Sequence, residues 1–158
     1  CSSDLAHEAG QGATLEFALG AISGVAGHVP VVGRFTVERL GDGVFTCTGP
    51  MFRGFRMTLG AMALLREENS GVRVILASRK AQAADQEMFR HVGIEPVRQR
   101  LLALKSSVHF RADFQPIARE VLVVRSPGPA LADPVDFAWT RLRPGIRMRP
   151  LGPVFTRA

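Results

Sequence analysis

At 158 residues and 46% hydrophobic, the chain can bury one substantial core, and a single domain over 1–158 is the default organisation. No apolar run reaches the roughly eighteen residues of a membrane span, so no membrane partner is expected. Two cysteines, Cys1 and Cys47, far apart and without CxxC spacing, exclude a disulfide framework and a cysteine-based zinc site, and a reduced cytoplasmic setting follows.

The opening Cys-Ser-Ser-Asp-Leu-Ala-His-Glu lacks the basic-then-apolar order of a signal peptide. Starting on Cys rather than Met, it suggests a chain that begins inside a longer protein. The net charge of +6 is uneven: nine Lys/Arg face ten Asp/Glu in 1–97, while eleven face four in 98–158. All but Lys80 and Lys105 of the twenty cations are arginines, suited to forked recognition of carboxylate or phosphate. With no Tyr, no aromatics interleaved with the basic run and no nucleic-acid motif, nucleic acid is not expected as a partner.

In chain order, Ala13 to Leu19 reads as a strand and Gly20 to Gly27 as a loop. Pro30 to Leu40 alternates with Phe35 and Val37 on one face, and Asp42-Gly43 then leads into Val44 to Thr48, a hairpin signal. Cys47 shares a face with Phe45 and reads as a small buried hydrophobe. A second hairpin joins Met57–Arg66 to Val72–Ser78 through the polar turn Glu67-Glu68-Asn69-Ser70-Gly71. Asp85 is placed to cap a short helix running through Phe89 and Val92, with Gly93 as its stop. Strand Leu101 to Lys105, helix Val108 to about Gln115 ended by Pro116, and strand Glu120 to Arg125 then follow a βαβ grammar.

The expected fold is therefore α+β (mixed α/β). Antiparallel hairpins over 1–80 are followed by a βαβ part over 81–125 in one mixed sheet. An extended Pro- and Arg-rich tail occupies 126–158, and Ser126-Pro-Gly-Pro reads as a chain reversal.

The densest chemistry is Lys105-Ser-Ser-Val-His-Phe-Arg-Ala-Asp-Phe114. His109 and Asp113 are four apart, so on a helix the carboxylate would orient the imidazole. Arg111 lies on the same turn, and Ser106 or Ser107 can cap the free N–H groups of the helix start. Together they could hold a carboxylate or an oxyanion. The alternative is a capped helix with Phe110 and Phe114 in the core and His109 and Arg111 in solvent. Arg53 and Arg56 bracket Phe52 and Phe55 in Gly49-Pro-Met-Phe-Arg-Gly-Phe-Arg56, either a loop at a cleft mouth or a plain turn. The histidines His7, His28, His91 and His109 fall in separate segments, so no metal ligands are assigned to this chain.

The residues also resemble a family: the C-terminal domain of MlrC-like metallopeptidases, the microcystinase C family. The resemblance runs from Ala6-His-Glu-Ala-Gly to Arg149-Pro150. Its carriers are Asp42-Gly-Val-Phe, Gly49-Pro-Met-Phe-Arg-Gly, Ala77-Ser-Arg-Lys, Asp85-Gln-Glu-Met-Phe-Arg with Gly93-Ile-Glu-Pro, and above all Lys105 to Phe114 followed by Pro116-Ile-Ala. It implies a two-domain zinc-dependent peptidase acting on peptide or amide bonds, with the zinc ligands in a larger N-terminal domain that is the partner of this one. On that footing Ser107, His109 and Arg111 face the composite cleft. His109 is then expected as an oxyanion or substrate hydrogen-bond donor and Arg111 as a carboxylate clamp, with Ser106 and Arg53 contacting substrate.

Two other readings stay open: a stand-alone binding domain for small carboxylates or phosphates, and an assembly module docking through its Pro/Arg tail. Homo-oligomerisation is compatible with all three.

Overall fold

The computed structural model describes residues 1–20, 28–124 and 133–156. The loop expected after Gly20 and the reversal at Ser126-Pro-Gly-Pro fall largely or wholly outside them. The chain divides into two compact units, Cys1–Leu19 with Pro30–Leu122, and Gly20–Val29 with Val123–Ala158.

The first unit is built on a four-stranded antiparallel sheet, which makes the chain α+β as expected. Its strands are β1 (Thr14–Leu19), β2 (Val31–Gly41), β5 (Met62–Glu67) and β6 (Arg73–Ala77), in the order β1-β2-β5-β6. Between β2 and β5, strands β3 (Val44–Thr46) and β4 (Arg56–Thr58) form a separate two-stranded sheet. The alternation in β2 buries Phe35 and Val37, while β5 presents a continuous buried run, Met62 to Leu65, because it is central and covered on both faces.

On one face Phe17, Phe35, Val37, Ala63 and Leu65 pack with Ala6 of helix α1 (Ser2–Ala9). The Phe17 and Phe35 rings meet edge to face, 6.0 Å apart at 88°, a geometry worth about 0.5–1.5 kcal/mol beyond area burial. The other face, Met62 and Leu64, packs on Cys47, Met57 and Leu59 and on Met88, Val92 and Ile94 around helix α2 (Glu87–Arg90). Cys47 is thus the buried hydrophobe the sequence indicates.

The β5–β6 hairpin forms through the expected turn, with Met62 opposite Ala77 and Arg66 opposite Arg73, but its first strand starts at Met62 and not Met57, because Met57 and Thr58 belong to β4 and pair with β3. Glu67 organises its turn by accepting from Ser70 and Asn69, which holds its carboxyl below the usual range.

The Asp42-Gly43 pair does not make a hairpin of β2 with β3. β2 pairs with β1 and β5, and Val44 to Thr46 pair instead with Thr58 to Arg56. The reason is a close backbone crossing. Gly43, at φ 70°, lies so near Gly60 that a Cβ there would stand 2.0 Å from the Gly60 carbonyl oxygen, and the Leu59 amide donates to the Gly43 carbonyl at 2.8 Å. The glycine passes the chain from one sheet to the other.

The βαβ part also differs. Residues 101–105 and 120–124 carry no β-ladder; Leu122, Val123 and Val124 are 70%, 80% and 81% exposed. Their apolar composition is that of a buried strand, yet the sheet is completed by local hairpins and takes neither segment as an edge partner. The helix between them is short: α3 (Arg111–Phe114), continued by a 3-10 turn over Gln115–Ile117 that contains Pro116. Phe114 is buried against Phe89 of α2, ring centroids 5.5 Å apart.

In the second unit the Pro- and Arg-rich tail turns back on itself. Arg147 bridges Val154, Asp133 accepts from the Arg149 guanidinium, and Trp139 Nε1 donates to the Pro134 carbonyl at 2.6 Å.

Candidate functional site

The Ser106–Asp113 turn is fixed by α2 and the loop ahead of it. The leading N–H groups of a helix have no intrahelical acceptor. Here two carboxylates supply them. Asp85, fully buried, accepts from the Glu87 amide at 3.0 Å and from the Gly49 amide at 2.9 Å. Asp113 accepts from the Gln86 amide at 2.7 Å, and the Gln86 side chain returns two bonds, to the Asp113 carbonyl at 2.8 Å and its carboxylate at 3.2 Å. Gly49 is wedged between them: a Cβ there would stand 2.6 Å from Asp113 Oδ2 and 3.0 Å from Asp85 Oδ2.

The Asp85 side of this cluster governs Cys47. Burial first, then the charge and hydrogen bond of Asp85, push its thiol up to about 11. It is therefore a protonated core residue, not a nucleophile at neutral pH. Next to Gln86, Arg90 donates to Glu95, Glu87 and Gln86. Those bonds raise its pKa further and lower that of Glu95.

Two expectations for the turn are corrected. Neither Ser106 nor Ser107 caps the helix. It starts only at Arg111, whose amide donates to the Val108 carbonyl, so the serines lie too far upstream; among the described residues the buried Ser106 Oγ has no hydrogen-bond partner. Nor does Asp113 pair with His109, because its carboxylate is taken by Gln86. His109 Nδ1 bonds instead to Gln82 Oε1.

His109, Arg111 and Ser107 are exposed. The Arg111 guanidinium lies over the Phe110 ring, 5.2 Å from its centroid, and donates to Gln115 at 3.2 Å. Arg53 is exposed in the turn between β3 and β4, and among the described residues no hydrogen bond or ion pair joins it to the His109 turn.

Asp85 was expected at the start of this helix and does accept from the Glu87 amide, but its bond to Gly49 and the parts played by Gln82, Gln86 and Gly49 were not singled out by spacing. Their signal was available in another form. The blocks 49–54, 85–90 and 105–114, which carry the family resemblance while distant in sequence, meet in space at Asp85 and Asp113.

A sequence profile of the MlrC C-terminus matches residues 2–141. The chain belongs to the MlrC C-terminus family. It is 30% identical over 122 residues to microcystinase C of Sphingomonas sp., covering 77% of this chain and 23% of that protein. A solved structure of a candidate metallopeptidase from Mesorhizobium sp. BNC1 superposes on 90% of the chain with a TM-score of 0.76 at 28% identity, and the match covers 28% of that protein. This MlrC C-terminus chain therefore spans about a quarter of the length of these relatives.

Among the described residues the donor set does not suit a metal. His7 Nε2 bonds to the Met62 carbonyl and His91 Nε2 accepts from the Gly43 amide. Among the described residues no three His, Cys, Asp or Glu side chains gather as a metal site. Among the same residues no helix is long and apolar enough to cross a membrane.

Proposed function

We propose that this chain is the C-terminal domain of a cytoplasmic zinc-dependent hydrolase of peptide or amide bonds. In this reading 1–158 acts as one module, and a separate N-terminal domain holds the zinc. This module adds one wall of the substrate cleft, with His109 and Arg111 toward the substrate and Ser106, Ser107 and Arg53 on its margin.

The observation that carries the reading is the anchoring of an exposed His109–Arg111 turn by the buried Asp85–Gln86–Asp113 cluster. Three distant segments that carry the family pattern are spent on holding one surface turn, and a turn needed only for helix capping would not require them. Family membership supports a peptidase-associated role. A stand-alone anion-binding domain is less well supported: α3 is a single turn, too short to develop the dipole of a longer helix.

The test is kinetic, in the complete polypeptide. His109→Ala and Arg111→Ala should each lower kcat/KM at least tenfold, about 1.4 kcal/mol of transition-state stabilisation, with thermal unfolding little changed. Ser107→Ala should leave stability within about 0.5 kcal/mol, since the hydroxyl caps nothing. Full turnover in both the His109 and Arg111 variants would overturn the proposal.

A further inference from the structure

The contacts that hold the turn form two rungs. Gln82 bonds to His109 and Gln86 to Asp113, so positions four apart in one segment meet positions four apart in the other, each rung spanning 27 residues. The rungs differ in kind. Gln86 grips Asp113 through three hydrogen bonds and is itself 6% exposed, so it anchors the backbone of the turn. Gln82 is exposed and touches the imidazole.

A carboxamide oxygen only accepts, so the bond from His109 to Gln82 Oε1 places a proton on Nδ1. A neutral imidazole carries one N–H, and Nε2 then holds a lone pair. Among the described residues Nε2 has no hydrogen-bond partner, and the residue is exposed.

We infer that Gln82 is a positioning residue that locks neutral His109 in its Nδ1–H tautomer, so that His109 offers the substrate a hydrogen-bond acceptor rather than a donor. This deepens, and rests on, the reading of the His109–Arg111 turn as a substrate-facing surface. The class of group recognised follows from the chemistry. Arg111 supplies donors only and suits a carboxylate, whereas Nε2 suits a peptide N–H or an amine. The pair fits a substrate presenting both kinds of group, as a peptide does. His109 would donate from Nε2 only as the imidazolium.

The experiment is long-range proton–nitrogen correlation NMR on the 158-residue chain labelled at histidine, at a pH well above the ordinary imidazole pKa of about 6.5. His109 should carry its proton on Nδ1. Gln82→Ala should move the proton to Nε2, and Gln82→Glu, which keeps an acceptor oxygen, should leave it on Nδ1. A His109 already in the Nε2–H form, or one unmoved by Gln82→Ala, would overturn the inference. Gln82 is exposed, so the variants should fold; coincident backbone spectra away from the turn check this.

Kinetics in the complete enzyme separate the two claims. Gln82→Ala should lower kcat/KM several-fold, and Gln82→Glu should retain more activity than Gln82→Ala. If the tautomer responds as expected but His109→Ala leaves turnover intact, the cleft reading fails and the tautomer lock stands. If His109→Ala abolishes turnover while Gln82→Ala changes neither tautomer nor rate, the lock fails and the cleft reading stands.

Discussion

Replacing Asp113 separates two accounts of the turn. If the carboxylate orients His109, as helix spacing suggests, Asp113→Ala should change the behaviour of the imidazole and leave stability nearly untouched. In the structure the carboxylate serves the Gln86 amide instead, at 2.7 Å, at the start of α2. Removing it strands that N–H on a residue only 6% exposed. An orphaned buried donor costs about 1–3 kcal/mol, and a hydrogen bond to a charged partner is worth about 1.5–3 kcal/mol. These are two descriptions of one loss, so the expected destabilisation is about 2 kcal/mol. The Gln86 side chain keeps its bond to the Asp113 carbonyl, which limits the damage.

For a chain of this size, about 2 kcal/mol corresponds to a fall in Tm of roughly 4–8 °C. Urea unfolding of the wild type, Asp113→Ala and Asp113→Asn measures it. Asn keeps an oxygen for the Gln86 amide but turns its NH2 toward the donor Nε2 of Gln86, so it should fall between the other two. A loss under about 0.5 kcal/mol in Asp113→Ala, with an unchanged m-value, would refute the anchoring argument.

Two further outcomes follow from the core. The Cys47 thiol sits at about 11 in the folded chain against an ordinary 9.0, so the folded state holds its proton more tightly than the unfolded state. That contribution is fully present below about pH 9 and declines as pH rises toward 11, by at most about 2–3 kcal/mol. Denaturation across this range should show a steeper alkaline loss in the wild type than in Cys47→Ala; parallel curves would contradict it. Gly43→Ala meets both a positive φ of 70° and a Cβ 2.0 Å from a backbone oxygen. It should cost at least about 3 kcal/mol and loosen the β3–β4 pair, seen as lost amide protection at Leu59, whose N–H donates to Gly43.

What the sequence made legible is what local alternation controls. β1, β2, β5 and β6 all lie where apolar residues alternate or cluster, and the β5–β6 hairpin follows from its polar turn. Partner choice was less legible. Asp42-Gly43 carries a hairpin signal, but Gly43 is needed for contact with Gly60, 17 residues away, and a two-residue motif does not report such a constraint. Leu101–Leu104 and Val121–Val124 have strand composition, yet composition records the preference of a segment and not whether a sheet edge is offered to it. Helix α1 was missed because its eight residues bury only Ser3 and Ala6 and leave no apolar stripe to read.

The candidate site shows the same division at finer scale. Its centre, from Ser106 to Asp113, was marked by the types of residue present, but the roles within it were assigned by a helical rule that needs the helix to begin before His109. It begins at Arg111, so His109 and Asp113 sit on different kinds of backbone and turn to different partners. Each of those partners is a glutamine from the same upstream segment, a residue type that sequence reading passes over because it neither titrates nor binds metal strongly. A neutral amide suits this task for that reason. It fixes the direction of a hydrogen bond without adding a charge, so Gln82 can set which imidazole nitrogen carries the proton without adding a carboxylate to the turn that carries Arg111.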